Sequence, residues 1–372
     1  MRKLMSVMLL LAASLLLSTT ASAQMRDEQP DLTIDAATRT QVIEAISKRL
    51  NDSYIFPEVA KKMEAAIRER AEKKEYDQIT SSAAFARKLT EDLQAVSHDK
   101  HLRVRYSHEA IPENQQRGEP TAEERENYRR FSQRINHGFE RVERLPGNIG
   151  YIDLRGFFDP ELGKDTVAAA MSFISNTDAL IFDLRQNGGG DPAMVALISS
   201  YLFGSEPVHL NDLHWREGNR VEEFWTKPNG ISPRYEGKDI YVLTSARTFS
   251  GAEEFSYNLK NLKRATIVGE TTGGGANPGG GFRVGAHFGM FVPTGYAQSP
   301  ITKTNWEGTG VKPDIDVPKE QALKTAHLMA LKKAQAKATD EGAKRQYGML
   351  IEQTQKELDE LKKTQKPAEA KL

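Results

Sequence analysis

The sequence predicts an α/β fold, with a bundle of helices before the sheet and a helical tail after it. Three observations carry this prediction. From Gly147 onward, short apolar runs of strand type alternate with helical segments; apolar residues between 35 and 95 recur at helical spacing; and residues 319–372 combine high charge with one apolar stripe.

The first 23 residues read as a targeting segment. Arg2 and Lys3 form a basic start, Leu9 to Leu17 an apolar run, and Ala21-Ser22-Ala23 a small-residue cleavage site. Cleavage near Ala23 is expected, with delivery to a periplasm or the exterior. The apolar run is short for a bilayer span, so no stable membrane insertion is expected after cleavage. The chain has no cysteine, which excludes disulfides, a thiol nucleophile and thiolate metal sites. Basic and acidic residues balance at 51 each, and removal of Arg2 and Lys3 leaves a formal charge of −2. Such a balance gives no general attraction to nucleic acid or to an anionic membrane.

Residues 24–104 are expected to form an N-terminal helical bundle. Val42, Ile43, Ile46 and Leu50 fall on one helical face, as do Val59, Met63 and Ile67, and then Phe85, Leu89 and Leu93. Pro57 suits the start of the second helix, and Ser81 or Ser82 the cap of the third. Residues 105–146 are polar, with Pro112 and Pro120, and read as a connecting segment with one exposed helix near 121–135.

Residues 147–318 read as the α/β core. Strands are expected at Ile149 to Leu154, Ala179 to Leu184, Asp239 to Thr244 and Ala265 to Val268. Helices follow around Val167 to Ile174, at 192–203 and from about Ser250, and Phe282 to Val292 reads as a hairpin. In sheets of this kind ligands gather where strands end and helices begin. The tail, 319–372, splits near Gly342. Its stripe of Tyr347, Leu350, Ile351, Leu358 and Leu361 has two possible docks, the chain's own core or a second subunit in a homo-oligomer.

Two segments carry chemistry. The first is Asp183-Leu184-Arg185-Gln186-Asn187-Gly188-Gly189-Gly190, a buried strand running into three glycines. Bare N–H groups beside a helix start stabilise negative charge. The second is Thr244-Ser245-Ala246-Arg247-Thr248-Phe249-Ser250-Gly251-Ala252-Glu253-Glu254-Phe255, in which Ser250 opens a helix. Ser250 with Glu253 makes a capping box, which alone is a sufficient structural reason for both residues. A serine there is also well sited as a nucleophile, with the Gly251 N–H facing a developing oxyanion.

The two segments together resemble the S41 tail-specific, or carboxyl-terminal-processing, peptidases. The resemblance continues through Val268-Gly269-Glu270-Thr271-Thr272-Gly273-Gly274 and through Glu307-Gly308, Gly310-Val311 and Pro313-Asp314. It implies a crotonase-like (ClpP/crotonase) core and hydrolysis by a serine. The lysine of the bacterial Ser–Lys dyad is absent from Thr272 to Gly279, and Lys263 lies about 20 Å along the helix from Ser250 at the usual rise per residue. The segment 96–146 is too short and polar for the PDZ domain common in the family. The chain therefore resembles the lysine-free branch, which includes tricorn-like proteases and interphotoreceptor retinoid-binding proteins.

That likeness implies a histidine before the core and a later glutamate. His101, in Ser97-His98-Asp99-Lys100-His101-Leu102-Arg103-Val104, and Glu307 match the pattern, while Lys100 stands where tricorn-like enzymes have a small hydroxyl residue. His98 remains a rival for the base, and a loop pairing with Lys303 or Lys312 remains an alternative for Glu307. The resulting expectation is a serine-type peptidase acting on peptides or unfolded protein tails. Ser250 would be the nucleophile, His101 the base and Glu307 its support, with the Gly251 and Gly189 N–H groups binding the oxyanion. No cofactor is expected, and the eight histidines form no recognisable metal spacing. The alternative is a non-catalytic binding protein for a retinoid or fatty acid on the same fold.

Overall fold

A computed structural model describes residues 30–113 and 121–364. The expected targeting segment lies outside the described residues. Three helices come first: α1 (Ala36–Ser53), α2 (Pro57–Glu72) and α3 (Ser82–Ser97). Asp35 caps α1 through the Thr38 N–H, Pro57 occupies the first turn of α2, and Ser81, not Ser82, caps α3 through the Ala84 N–H. After β1 (Arg103–Tyr106), the exposed helix α4 (Ala122–Arg134) begins with a Thr121–Glu124 capping box.

The chain then lays down β2 (Phe139–Leu145), β3 (Ile149–Leu154), α5 (Pro160–Ile174), β4 (Ala179–Asp183), α6 (Pro192–Ser200), β5 (His209–Trp215), β6 (Arg220–Trp225), β7 (Asp239–Thr244), α7 (Gly251–Asn261) and β8 (Thr266–Gly269). It continues with β9 (Gly279–Gly285), β10 (Phe288–Pro293), β11 (Gly295–Gln298) and β12 (Ile315–Asp316), and ends in α8 (Lys319–Lys337) and α9 (Glu341–Thr364). The result is a mixed α/β architecture.

The main sheet has the order β12-β8-β7-β4-β3-β2. All neighbours are parallel except β2 on β3. Its central strands are buried on both faces, which explains their continuous apolar runs. Ile152, Phe182, Val242 and Ile267 stand in one row across it. Asp183 pairs with Leu243, so β4 and β7 end almost level and release their following turns side by side. One face packs against α5, α6 and α7 through Val167, Met171, Val195, Phe255 and Leu259. The other packs against α8 through Ala322, Ala326 and Leu331. Each large apolar side chain buried here contributes about 1.5–3 kcal/mol.

Tyr347, Leu350 and Ile351 join that second face, so the stripe of α9 docks on its own chain. Among the described residues no helix is long and apolar enough to cross a membrane.

Two features cross the expected boundaries. The hairpin β9–β10 pairs with β1 rather than with the main sheet, and Phe282, Val284, Phe288 and Met290 pack among Ile46, Phe85 and Leu89 of the bundle. Conversely β2, from the stretch read as a polar connection, forms the antiparallel edge of the main sheet. Its Phe139-Glu-Arg-Val-Glu-Arg-Leu145 has only Phe139 fully buried, as an edge strand tolerates. The hairpin β5–β6, extended by β11, was likewise not anticipated. Its strands alternate weakly and carry His209, Asp212, Glu222 and Glu223.

Candidate active site

The two glycine- and serine-bearing turns are bonded to each other. Thr248 Oγ1 donates to the Leu184 carbonyl at 2.8 Å, Ser245 Oγ to the Arg185 carbonyl at 2.6 Å, and the Phe249 N–H to the Asn187 carbonyl at 3.1 Å. These bonds give the hydroxyl residues of the second motif a physical reason: they fasten it to the first. The first motif is held in its turn by Asp183, whose carboxylate takes Arg185 Nε at 2.9 Å and the Tyr151 hydroxyl at 2.7 Å. Buried Asn187 donates to the Leu154 carbonyl at 2.9 Å and accepts the Gly189 N–H at 2.8 Å.

Ser250 sits at the start of α7 with φ 54° and ψ −123°. A non-glycine residue in that region is strained, and such strain persists only where the surroundings fix it. Glu253 supplies much of that support. Its buried carboxylate accepts the N–H groups of Ser250 (2.9 Å), Gly274 (2.6 Å) and Gly275 (2.8 Å) and the Thr272 hydroxyl. Of the expected capping box the glutamate arm is present, while the Glu253 N–H donates to the Ser250 carbonyl at 2.8 Å rather than to its hydroxyl, and the glutamate also binds the glycine-rich loop that follows β8. Burial raises the Glu253 pKa, while these donors act to lower it.

The amides near Ser250 differ in part from the expected pair. A side chain on Gly189 (φ 99°) would collide with Gly251 N, 2.6 Å away, and Ser250 Cβ, 2.7 Å away. The Gly189 N–H, however, already donates to Asn187. Its neighbour Gly190 has φ 142°, and its N lies 3.0 Å from where a Gly251 Cβ would stand. Among the described residues neither the Gly190 nor the Gly251 N–H donates to a protein acceptor. The pair of free amides beside Ser250 is therefore Gly190 and Gly251.

His101 arrives from the bundle, between α3 and β1. Its ring lies between Phe249 (4.6 Å between centroids) and Phe291 (5.9 Å). Burial among these rings, with Arg103 nearby, pushes its pKa down to about 4, so the imidazole is neutral at pH 7. Asp99 is fully buried and accepts from Tyr54 (3.2 Å), Asn277 Nδ2 (2.9 Å) and the His101 N–H (3.0 Å). Glu307 accepts the Ala276 N–H at 2.5 Å through Oε2. Burial and the charge of Asp99 push Glu307 up to about 7.

Side-chain atoms of Asp99, His101 and Glu307 lie within 4.8 Å of one another, while His101 Nδ1 and Glu307 Oε1 are buried without a hydrogen-bond partner. No hydrogen bond joins His101 to Ser250 among the described residues. The structure thus brings Ser250, Gly251 and Gly189 together on one side, and His101 and Glu307 on the other, with Phe249 between the two groups.

His98 is exposed at the αL cap of α3. Glu307 pairs with neither Lys303 nor Lys312. Lys260 binds Asp314 at 2.9 Å, and Lys100 donates to the Gly273 carbonyl at 2.6 Å.

Asp99, His101 and Glu307 are donors of a type that could hold a metal, a grouping that sequence spacing did not reveal. The oxygens of Asp99 already accept hydrogen bonds from the protein, so the cluster reads equally as an acid–base set. Sequence reasoning also missed the roles of Asn187 and Asp99. Both have local signals: an Asn before Gly-Gly, and an Asp two residues before the histidine.

The sequence matches peptidase family S41 over residues 148–317 and the N-terminal domain of Peptidase_S41 in eukaryotic IRBP over residues 33–140. It is 27% identical over 194 residues to the chloroplastic carboxyl-terminal-processing peptidase 2 of Arabidopsis thaliana, covering 50% of this chain and 36% of that protein. The chain thus spans about a third of the length of this curated relative. Among solved structures it is similar to a candidate peptidase from Parabacteroides merdae (TM-score 0.56, 16% identity, 81% of this chain and 99% of that one). It is also similar to a lipoprotein from Streptococcus agalactiae (TM-score 0.52, 18% identity, 80% and 97%).

Proposed function

The chain belongs to peptidase family S41, and on that premise we propose that it is an exported serine peptidase cleaving peptides or unfolded protein tails. Ser250 is the nucleophile, His101 the base and Glu307 the group that supports the base. The observation that carries this reading is the strained Ser250 at a helix start, with two free amides beside it and a neutral, buried histidine packed on the ring of Phe249, the residue before it.

In this mechanism His101 takes the Ser250 hydroxyl proton as Oγ attacks the scissile carbonyl. The tetrahedral oxyanion accepts hydrogen bonds from Gly251 and from Gly190, which takes the place of Gly189 because the latter's amide is engaged. The imidazolium returns its proton to the leaving amine, the C–N bond breaks, and water repeats the sequence on the acyl-serine. Glu307, when ionised, stabilises the imidazolium. With no hydrogen bond between His101 and Ser250 present, the imidazole has to move to engage the hydroxyl, in keeping with catalytic hydrogen bonds that tighten only when substrate is present.

The parallel run β3-β4-β7-β8, each strand releasing its turn at one edge, supports the crotonase-like description. Export rests on residues 1–23, with 24–104 as bundle, 105–146 as a connection whose last strand, β2, joins the sheet, 147–318 as catalytic core apart from the hairpin β9–β10 that packs in the bundle, and 319–372 as tail. The reading as a binding protein for an apolar ligand is disfavoured by the polar lining: such a ligand would have to be buried against Asp99, Glu307 and Glu253.

The test is labelling with a fluorophosphonate and mapping of the adduct by mass spectrometry, alongside hydrolysis of an unstructured protein. Labelling of Ser250, and loss of both label and turnover in Ser250→Ala, is the expected result. Turnover by pure Ser250→Ala would remove Ser250 from the mechanism, and retinoid or fatty-acid binding by a parent that hydrolyses nothing would overturn the peptidase reading.

A further inference from the structure

Behind Ser250, where α7 meets β5, lies a group of buried polar side chains that the proposed mechanism does not use. Glu254, in the first turns of α7, is 5% exposed; Asn258, one turn further on, is 2% exposed; and Asn211 of β5 is 0% exposed. Both amides lie against the Glu254 carboxyl and favour its charged form. Yet Glu254 Oε1 and the Oδ1 and Nδ2 atoms of both asparagines lack a hydrogen-bond partner of proper geometry in the protein. Buried polar groups are ordinarily hydrogen-bonded, so a cluster of five without partners is not sustained by packing alone.

The charge balance adds to this. Among the described residues no Lys, Arg or His pairs with Glu254, and the charge that acts on it is that of Asp191, of the same sign. A carboxyl so placed needs either a proton or a cation. The available donors are one carboxylate and two amide oxygens, with neither sulfur nor imidazole. Oxygen-only sets select hard cations, and a single carboxylate balances a single positive charge.

We propose that Glu254, Asn211 and Asn258 hold an alkali-metal cation, Na⁺ or K⁺, through Glu254 Oε1 and the two amide Oδ1 atoms. Burial pushes the Glu254 carboxyl up to about 8, so at neutral pH the cation competes with a proton for this site. The Glu254 N–H donates to the Ser250 carbonyl at 2.9 Å, so the ion would brace the first turn that carries the strained serine.

The experiment uses the full chain and does not depend on hydrolysis. Thermal unfolding is followed in tetramethylammonium chloride at constant ionic strength as it is replaced by NaCl or KCl. Tm is expected to rise with the logarithm of the concentration of one alkali cation, as for a ligand bound only by the native state. In Glu254→Gln that dependence should vanish, with Tm in tetramethylammonium equal to or above that of the parent. Should the variant not fold, crystals of the parent grown in a thallium(I) salt should show an anomalous peak bonded to Glu254 Oε1. Equal Tm in all salts, stabilisation by Ca²⁺ alone, persistence of the alkali effect in Glu254→Gln, or a thallium-free site would each overturn the proposal.

Discussion

The ring of His101 rests on that of Phe249, 4.6 Å between centroids and tilted by 42°, and Phe249 immediately precedes Ser250. The imidazole is thereby kept buried and neutral, against the residue that precedes the serine it is proposed to deprotonate. Its rival His98 is exposed at a helix end on the far side of buried Asp99. His101→Ala is therefore expected to lower kcat by about 10²-fold or more, the scale of general-base catalysis. His98→Ala should change it by less than about twofold, because an exposed residue outside the site holds no part of the transition state. Steady-state kinetics on the two variants decides the assignment, and a reversal would transfer the role to His98.

The acid–base set gives a second expectation. Glu307 is raised to about 7 and His101 lowered to about 4. If an ionised Glu307 is needed, kcat should climb as pH rises through about 7. Glu307→Gln should lose that limb and retain only the one near 4 that belongs to His101. Stability moves the other way: a carboxyl whose folded pKa lies above its unfolded value makes the fold progressively less stable between about 4.5 and 7. The Tm difference between Glu307→Gln and the parent should accordingly grow over that window and level off above it. A pH-independent difference would show that Glu307 does not titrate as described.

Glu253 should be the least replaceable acid. Its carboxylate accepts three N–H groups and a hydroxyl from two separate segments, and Glu253→Gln turns one acceptor into a donor facing N–H groups. A loss of about 2–4 kcal/mol in denaturant unfolding is expected, the size associated with breaking a buried hydrogen-bond network. Folded Glu253→Gln should also lose kcat rather than gain KM, since the displaced element is the Ser250 turn. A neutral outcome in both measurements would mean that the four donors are satisfied by water.

Gly275 offers a steric test. A β-carbon there would overlap the Phe249 ring and come within 2.7 Å of His101 Cε1. Gly275→Ala should therefore displace the imidazole, lowering kcat by roughly tenfold or more through misplacement of the base. Far-ultraviolet dichroism should remain that of the parent. Undiminished turnover would show that His101 has more room than the structure gives it.

The main sheet and both terminal helical regions are legible in the sequence because their apolar patterns are strong. Ile149–Leu154 and Asp239–Thr244 are buried on both faces and appear as mostly apolar runs. The strands that escaped detection are those with weak patterns: β2, mostly charged, and β5–β6, half-buried and rich in His, Asp and Glu. Pairing partners were not readable either. Nothing local in Phe282 to Val292 says that it joins β1, more than 180 residues earlier, instead of the sheet whose strands flank it in sequence. At the candidate site, motif resemblance is what singles out Ser250, His101 and Glu307. The engagement of the Gly189 amide by Asn187 was not, since it depends on how a turn folds back on itself.

The hairpin β9–β10, with β8 before it and β12 after it, stitches the bundle and the main sheet together by passing the chain out of one and back again. Asp99 and His101 travel with the first of these bodies, and Ser250 and Glu253 with the second. A nascent or refolding chain whose sheet is complete but whose hairpin is undocked would own a serine elbow without its base. On the proposed mechanism the chain would be inert until the hairpin docks, and the first appearance of turnover during refolding would serve as a clock for that step.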